Sequence, residues 1–358
     1  MRYLFSILFS VSFFLFSCTP APQPAGPFFY VQMDDVPTLV TLQNPESTQP
    51  LGEIPLAPPP ACSFWSLTPG PSGPLAAVEW QCPHGPLTQF VDVQTAKISF
   101  FLDDVSIDSR FLAWSADGKS AYLKIATLSN PQIVRVDVNP RRLTVLALSP
   151  NTYNLTVSPS DGRVLWAVTH GIGRGSELWI AEEQSLIFGG TGQRILSDPL
   201  HIVGLMRYSP DGRRVAAIRL PDGQTALPPG ELWLADSDGG NPRLAATADA
   251  GRGMFPVWSP SGEKIAFIGR NTPSDPASMN LSIISIPGPS GNEDPTFEPS
   301  TLNLQLLSSP AWSPDNSRLY LTLAAGGTME IWFHEISTGK TEMLFAEACC
   351  AGWMGGLK

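Results

Sequence analysis

The chain has 358 residues, 36 of them Pro and 31 Gly, with 43% hydrophobic residues and a formal net charge of −10. No basic cluster offsets that charge, which excludes nucleic acid as an expected partner and leaves the protein body nothing with which to hold an anionic lipid surface. So much Pro and Gly marks a chain that turns every few residues, as many short strands require.

The first element is not part of the fold. Arg2 is the only cation before the apolar run from Tyr3 to Phe16, which is too short to span a bilayer comfortably and reads as an export signal. Leu15-Phe16-Ser17-Cys18 resembles a bacterial lipobox, although Phe16 is bulkier than is usual there. The resemblance implies a signal peptide over 1–17 and lipidation of Cys18, with a plain secretory signal or an uncleaved anchor as alternatives. Residues 18–27 are then a lipidated cysteine followed by a Pro/Ala-rich tether. The expected location is the extracytoplasmic side of a membrane, periplasm or cell surface, with the membrane touched through the lipid alone.

From residue 28 onward the pattern is β. Phe28–Gln32 and Thr38–Leu42 read as the third and fourth strands of a sheet whose first two do not precede them. One phrase then organises the chain. It is clearest at Tyr208-Ser209-Pro210-Asp211-Gly212, followed by the apolar run Val215-Ala216-Ala217-Ile218. Pro210 presets φ, Asp211 suits the third turn position and Gly212 supplies the positive φ that closes the turn. Copies stand at Trp114-Ser115, Val157-Ser158, Trp258-Ser259 and Trp312-Ser313, with a looser one opened by Trp65-Ser66, whose Pro/Gly-rich turn precedes Leu75-Ala76-Ala77-Val78. The serines are spaced by 49, 43, 51, 50 and 54 residues, the period of a four-stranded propeller blade with strands A to D.

A second phrase marks strand C at Glu177-Leu178-Trp179, Glu231-Leu232-Trp233 and Glu330-Ile331-Trp332. Strand D is expected at 97–101, 143–148, 193–196, 243–246 and 341–345. In the fifth repeat an insertion over 287–299 pushes it to 302–307. Cys349-Cys350-Ala351-Gly352-Trp353 looks like an A strand with no blade behind it. Joined to the N-terminal pair, it completes a seventh blade with a short or missing strand B, so that 28–358 is a single all-β propeller. Six blades with the ends packed as extras is the alternative.

The aromatic-Ser-Pro-Asp-Gly phrase, in register with Glu-Leu-Trp, resembles the TolB-like propellers and their WD-type beta-propeller repeat. The resemblance implies a binding platform. It also admits an alternative, since some TolB-like lyases use histidines with a metal: a propeller enzyme or glycan binder.

The residues themselves carry no catalytic signal. There is no Gly-x-Ser-x-Gly elbow, and His84, His170, His201 and His334 have no ligand-type spacing, so no metal or cofactor is expected. Gly171-Ile172-Gly173-Arg174-Gly175 looks superficially phosphate-binding but sits between strands, where a flexible loop is expected. Cys62 and Cys82 flank one hairpin and are expected to form a disulfide. Cys349 and Cys350 either pair with each other or stay thiols, with a Cys350 bond to the first blade as the rival. The B–C and D–A loops share one face, and they are longest around 170–176, 220–230, 248–253 and 270–280. That sector holds the candidates His170, Arg174, His201, Asp222, Arg252, Arg270 and Asp275, whose mixed charge suits a polar ligand or peptide. The 287–299 insertion on the opposite face is the competing site. The expected function is a monomeric, non-catalytic envelope lipoprotein whose propeller binds a protein or peptide.

Overall fold

The computed structural model describes residues 26–100, 108–127, 130–223, 229–249, 255–270, 272, 279–287, 296–299 and 308–355. Signal, lipidation site and most of the tether therefore lie outside the described residues, as do Arg252 and Asp275.

The protein is a set of small antiparallel sheets, with one short helix at Glu183–Ile187 among the described residues. Among the described residues five sheets have four strands and one has eight. The eight-stranded sheet consists of two groups joined by the single pair Ala248↔Gly269. Successive groups touch through their first strands, except that Asp108–Trp114 meets Leu75–Cys82 and Gly85–Asp92, and Ala348–Trp353 touches Ser63–Pro69.

The repeated turn phrase works as its chemistry requires. The amides of Ser115, Ser158, Ser209, Ser259 and Ser313 each donate to the carbonyl five residues on, at 2.8 Å. The Ser209 hydroxyl accepts the returning Arg214 amide at 3.0 Å and donates to Asp211 at 2.6 Å, so that one side chain closes both ends of the turn. The Glu-x-Trp phrase has a similar local reason. The Trp179, Trp233 and Trp332 indoles donate to Glu177, Glu231 and Glu330 at 3.0, 2.8 and 2.8 Å.

In the first full repeat the Pro/Gly-rich turn does precede Leu75, but Ser66 is not its anchor. Gly70 makes the equivalent bond, to Leu75 at 2.8 Å, and Trp65-Ser66 falls inside the strand Ser63–Pro69. The neighbouring tryptophans confirm the register. Trp114 donates to Thr68, two residues before Gly70, just as Trp258 donates to Arg207, two before Ser209. The phrase was misleading there because a Pro-Gly-rich turn needs no serine hydroxyl.

The closing sheet does join both ends of the chain, with different strand roles from those expected. Its order is Ala348–Trp353, Phe28–Gln32, Thr38–Leu42, Pro50–Pro55. The N-terminal pair supplies the second and third strands, not the third and fourth, and strand B is complete. Met354 N donates to Pro27 O at 3.0 Å, the turn bond of the other repeats made between the two ends of the fold. In the fifth repeat the outer strand is Thr296–Pro299, paired with Ser282–Ser285, inside the segment expected to be an insertion; 302–307 lies outside the described residues. Cys62 and Cys82 are bonded, while Cys349 and Cys350 are free.

Candidate functional site

The expected loop sector contains a built polar cluster. Residues 170–175 connect Arg163–Thr169 to Ser176–Glu182, and Gly171, Gly173 and Gly175 have φ of 103°, 73° and 71°. That sequence of left-handed glycines points backbone amides inward. They surround the Asp222 carboxylate of the next repeat: Gly175 N donates to Asp222 Oδ2 at 2.7 Å. The amides of Gly173 and Gly175, then those of Gly223 and Arg174, hold the Asp222 carboxyl below the usual carboxylate range. The loop expected to be flexible is thus folded on an internal anion. A Cβ at Gly175 would also collide with the Asp198 carbonyl oxygen, so the position requires glycine on two grounds.

The contact at Gly175 leads directly to a second network. Asp198 Oδ1 lies 3.0 Å from His201 Nδ1 and accepts the amides of Leu200 and His201 at 3.1 Å each. Arg219 places a guanidinium nitrogen 2.7 Å from the same His201 Nδ1. Its Nε is 2.9 Å from Asp198 Oδ2, close enough for an ion pair but not aligned as a hydrogen bond. Burial pushes the Asp198 carboxyl up, but the bonds from His201 and Leu200 and the charge of Arg219 outweigh it and hold it low. Arg219 also lies over the Trp233 ring, 5.0 Å from its centroid.

His170 is 3.4 Å from Glu177, which also accepts from Arg194 at 2.7 Å. Each of the two histidines is therefore held by its own carboxylate, and among the described residues no group of three or more His, Cys, Asp or Glu is arranged to hold a metal. Arg174 is exposed at the loop tip beside Ile172, which is 90% exposed. Arg270 is placed differently from the other candidates: its side chain is 1% exposed, and Nε pairs with Asp249 at 2.9 Å. It faces the interior and not the loop surface.

Sequence reasoning missed one feature of this face. A cavity of about 700 Å³ is lined by Met33, Asp34, Asp35, Met329 and Glu347, where the last repeat meets the closing sheet. The signal was weak because these residues come from opposite ends of the chain.

The nest around Asp222 gives a direct expectation. Its depressed pKa means that the stabilisation is fully present above the ordinary carboxylate pKa and is lost as pH falls through the folded-state value. At pH 8, Asp222→Ala should therefore free the loop and speed tryptic cleavage after Arg174 several-fold. Asp222→Asn, which keeps an acceptor without charge, should lie between. Equal cleavage of all three proteins would show that the carboxylate does not hold the loop.

No family model matches the chain, and no curated protein matches it. Solved structures do. Oligogalacturonate lyase in complex with manganese is 14% identical with a TM-score of 0.57, over 85% of this chain and 83% of that one. The oligogalacturonate lyase of Vibrio parahaemolyticus is 12% identical with a TM-score of 0.55, over 91% and 87%. TolB of Acinetobacter baumannii is 16% identical with a TM-score of 0.49, over 92% of this chain and 66% of that one, so the chain spans just under two thirds of that TolB's length. At such identities the likeness is one of fold, that of a β-propeller.

Proposed function

We propose that the protein is an exported, membrane-tethered propeller of seven blades that binds a protein or peptide on the face carrying the 170–175 and 222 loops. The observation that carries this reading is the contiguous polar cluster there. Two carboxylates with depressed pKa, Asp198 and Asp222, are fixed by backbone amides, and Arg174 is displayed beside them. Order of that kind on connecting loops exceeds what closing the strands requires. The mixed charge suits a peptide.

The blade count takes the eight-stranded sheet as two blades, because a single residue pair joins its halves. Export is supported by the apolar run from Tyr3 to Phe16 and by the Cys62–Cys82 disulfide, a bond at home in oxidising compartments. The anchor is a lipid on Cys18, with 18–27 as tether. The propeller acts as a monomeric scaffold without a cofactor, and the binding partner is a component of the cell envelope.

Two measurements test the reading. Mass spectrometry of the mature protein should find a lipid-modified N-terminus at Cys18, and an unmodified chain starting elsewhere would contradict it. Affinity capture from membranes should recover a partner that is lost when residues 222–229 are replaced by a tight turn. A folded variant that keeps every partner would remove the binding face from the account.

A further inference from the structure

The closing strand carries the two free cysteines, and the fold brings their sulfurs together. In a regular strand neighbouring side chains point to opposite faces. Ala348–Trp353 is not regular at this point. Val31 pairs with Cys349 and Phe29 with Gly352, so an extra residue bulges opposite Tyr30. Cys350 takes a left-handed φ of 61° there, and its amide donates to the Thr322 hydroxyl at 3.1 Å. The bulge belongs to the repeat: Leu205, four residues before Ser209, has a φ of 50°, and Cys350 stands four before Met354. What is particular to the closing strand is that sulfur fills two adjacent positions of it.

The result is a chain of three sulfurs. The Cys350 thiol donates to Cys349 Sγ at 2.9 Å, and the Cys349 thiol donates to Met33 Sδ at 3.7 Å. Cys349 is buried, while Cys350 and Met33 are partly exposed. The bond with Cys350, and then burial, push the Cys349 thiol up, so it keeps its proton at neutral pH.

Met33 connects these sulfurs to solvent. It lines the cavity of about 700 Å³ together with Met329, Asp34, Asp35 and Glu347. The three carboxylates are exposed, and among the described residues no Lys, Arg or His lines the cavity. An entering cation therefore meets negative charge, then two thioethers, then the thiol that touches Met33.

The donor set selects the ion. Thiolate and thioether are soft ligands and suit Cu(I). Zinc takes four ligands, and among the described residues no group of three or more His, Cys, Asp or Glu stands together. Metal–sulfur bonds of about 2.3 Å set sulfurs roughly 4 Å apart around a three-coordinate ion. Cys349 and Met33 are already near that separation. Cys350 reaches it by opening about 1 Å, a rotation of a partly exposed side chain.

We propose that Met33, Cys349 and Cys350 bind one Cu(I) ion, which enters through the cavity between the last repeat and the closing sheet. The ion displaces both thiol protons and is held by two thiolates and the Met33 thioether, with no change of oxidation state. The propeller carries it as a ligand. The inference does not depend on the loop-face reading, because none of these residues lies in the 170–175 or 222 loops.

The full chain carrying Cys18→Ser tests it, since Cys349 and Cys350 are then the unpaired thiols. Thiol titration without reductant should find both. Cu(I), kept reduced by ascorbate under anaerobic conditions, should be retained at one ion per chain against a chromogenic Cu(I) chelator. X-ray absorption should show sulfur alone around it, and excess Zn(II) should not displace it. Two protons leave per ion, so affinity should rise with pH, by about 100-fold per unit below neutrality. Met33→Leu should raise the Cu(I) Kd about tenfold and Cys350→Ser about 100-fold or more. Leu matches Met in volume and Cys350 is partly exposed, so both variants should keep the unfolding temperature of the parent. A protein without free thiols, Cu(I) lost to the chelator, a shell without sulfur, displacement by Zn(II), or an unchanged Kd in either variant would overturn the proposal.

Discussion

Removal of residues 348–358 is expected to abolish the cooperative unfolding transition. Ala348–Trp353 is the inner strand of a sheet whose other three strands come from residues 28–55, so its loss uncovers the whole edge of Phe28–Gln32. Cys349 is buried, and Trp353 packs 5.4 Å from Phe28 and 6.3 Å from Tyr320, linking the closing sheet to the last repeat. One such aromatic pair contributes about 0.5–1.5 kcal/mol beyond the area it buries. The strand's ladder and the closure of the ring go with it, against a total stability of order 5–15 kcal/mol. Calorimetry should show no sharp transition, and the broad one that remains should begin well below that of the full chain. A truncated protein that melts like the full chain would show that the ring does not close through this strand.

The second large effect is expected at Arg270. Arg270 and Asp249 are 1% and 2% exposed and join the outer strand of one repeat to the second strand of the next. Arg270→Met removes the guanidinium that pairs with the buried Asp249 carboxylate, at a cost of about 3–5 kcal/mol. For a domain of this size that lowers the unfolding temperature by roughly 5–10 °C. Replacing both residues, Arg270→Met with Asp249→Leu, should recover most of the loss, because the penalty comes from the stranded charge more than from the missing attraction. Arg219 and Asp198 stand in the same relation one repeat earlier, again 21 residues apart, but Arg219 is 25% exposed. Arg219→Met should therefore cost only about 1 kcal/mol, since the Asp198 carboxylate keeps the Leu200 and His201 amides and the His201 ring. Denaturant titration of the three variants checks the order. Equal costs at Arg219 and Arg270 would mean that burial does not distinguish the pairs.

What was legible in the sequence was local. The Ser-Pro-Asp-Gly turn is written in four consecutive residues, because hydroxyl, carboxylate and glycine close it among themselves. The Glu-x-Trp bond spans two residues, and the Cys62–Cys82 bond crosses one hairpin. Where the partner lies far along the chain, legibility fails. The glycine loop 171–175 reads as flexible because the anion it encloses is Asp222, 47 residues beyond Gly175. Arg270 reads as a surface cation because nothing next to it announces Asp249. Pro50–Pro55 was not read as the outer strand of the closing sheet because it is Pro-bounded, mostly exposed and short of apolar alternation. Trp65 illustrates the reverse error. Its Trp-Ser dipeptide imitates the turn phrase, while Gly70 does the work of the turn and Trp65 is left exposed on the strand before it.

The claim that most needs a direct measurement is that the ligand face is the one carrying the 170–175 and 222 loops. Hydrogen-exchange mass spectrometry of the protein alone and with a partner captured from membranes addresses it. The account predicts slowed exchange in peptides covering 170–176, 199–203 and 222–229, with the turns at 115–119, 209–213 and 259–263 unchanged. Slowed exchange confined to those turns, on the opposite face, would contradict it.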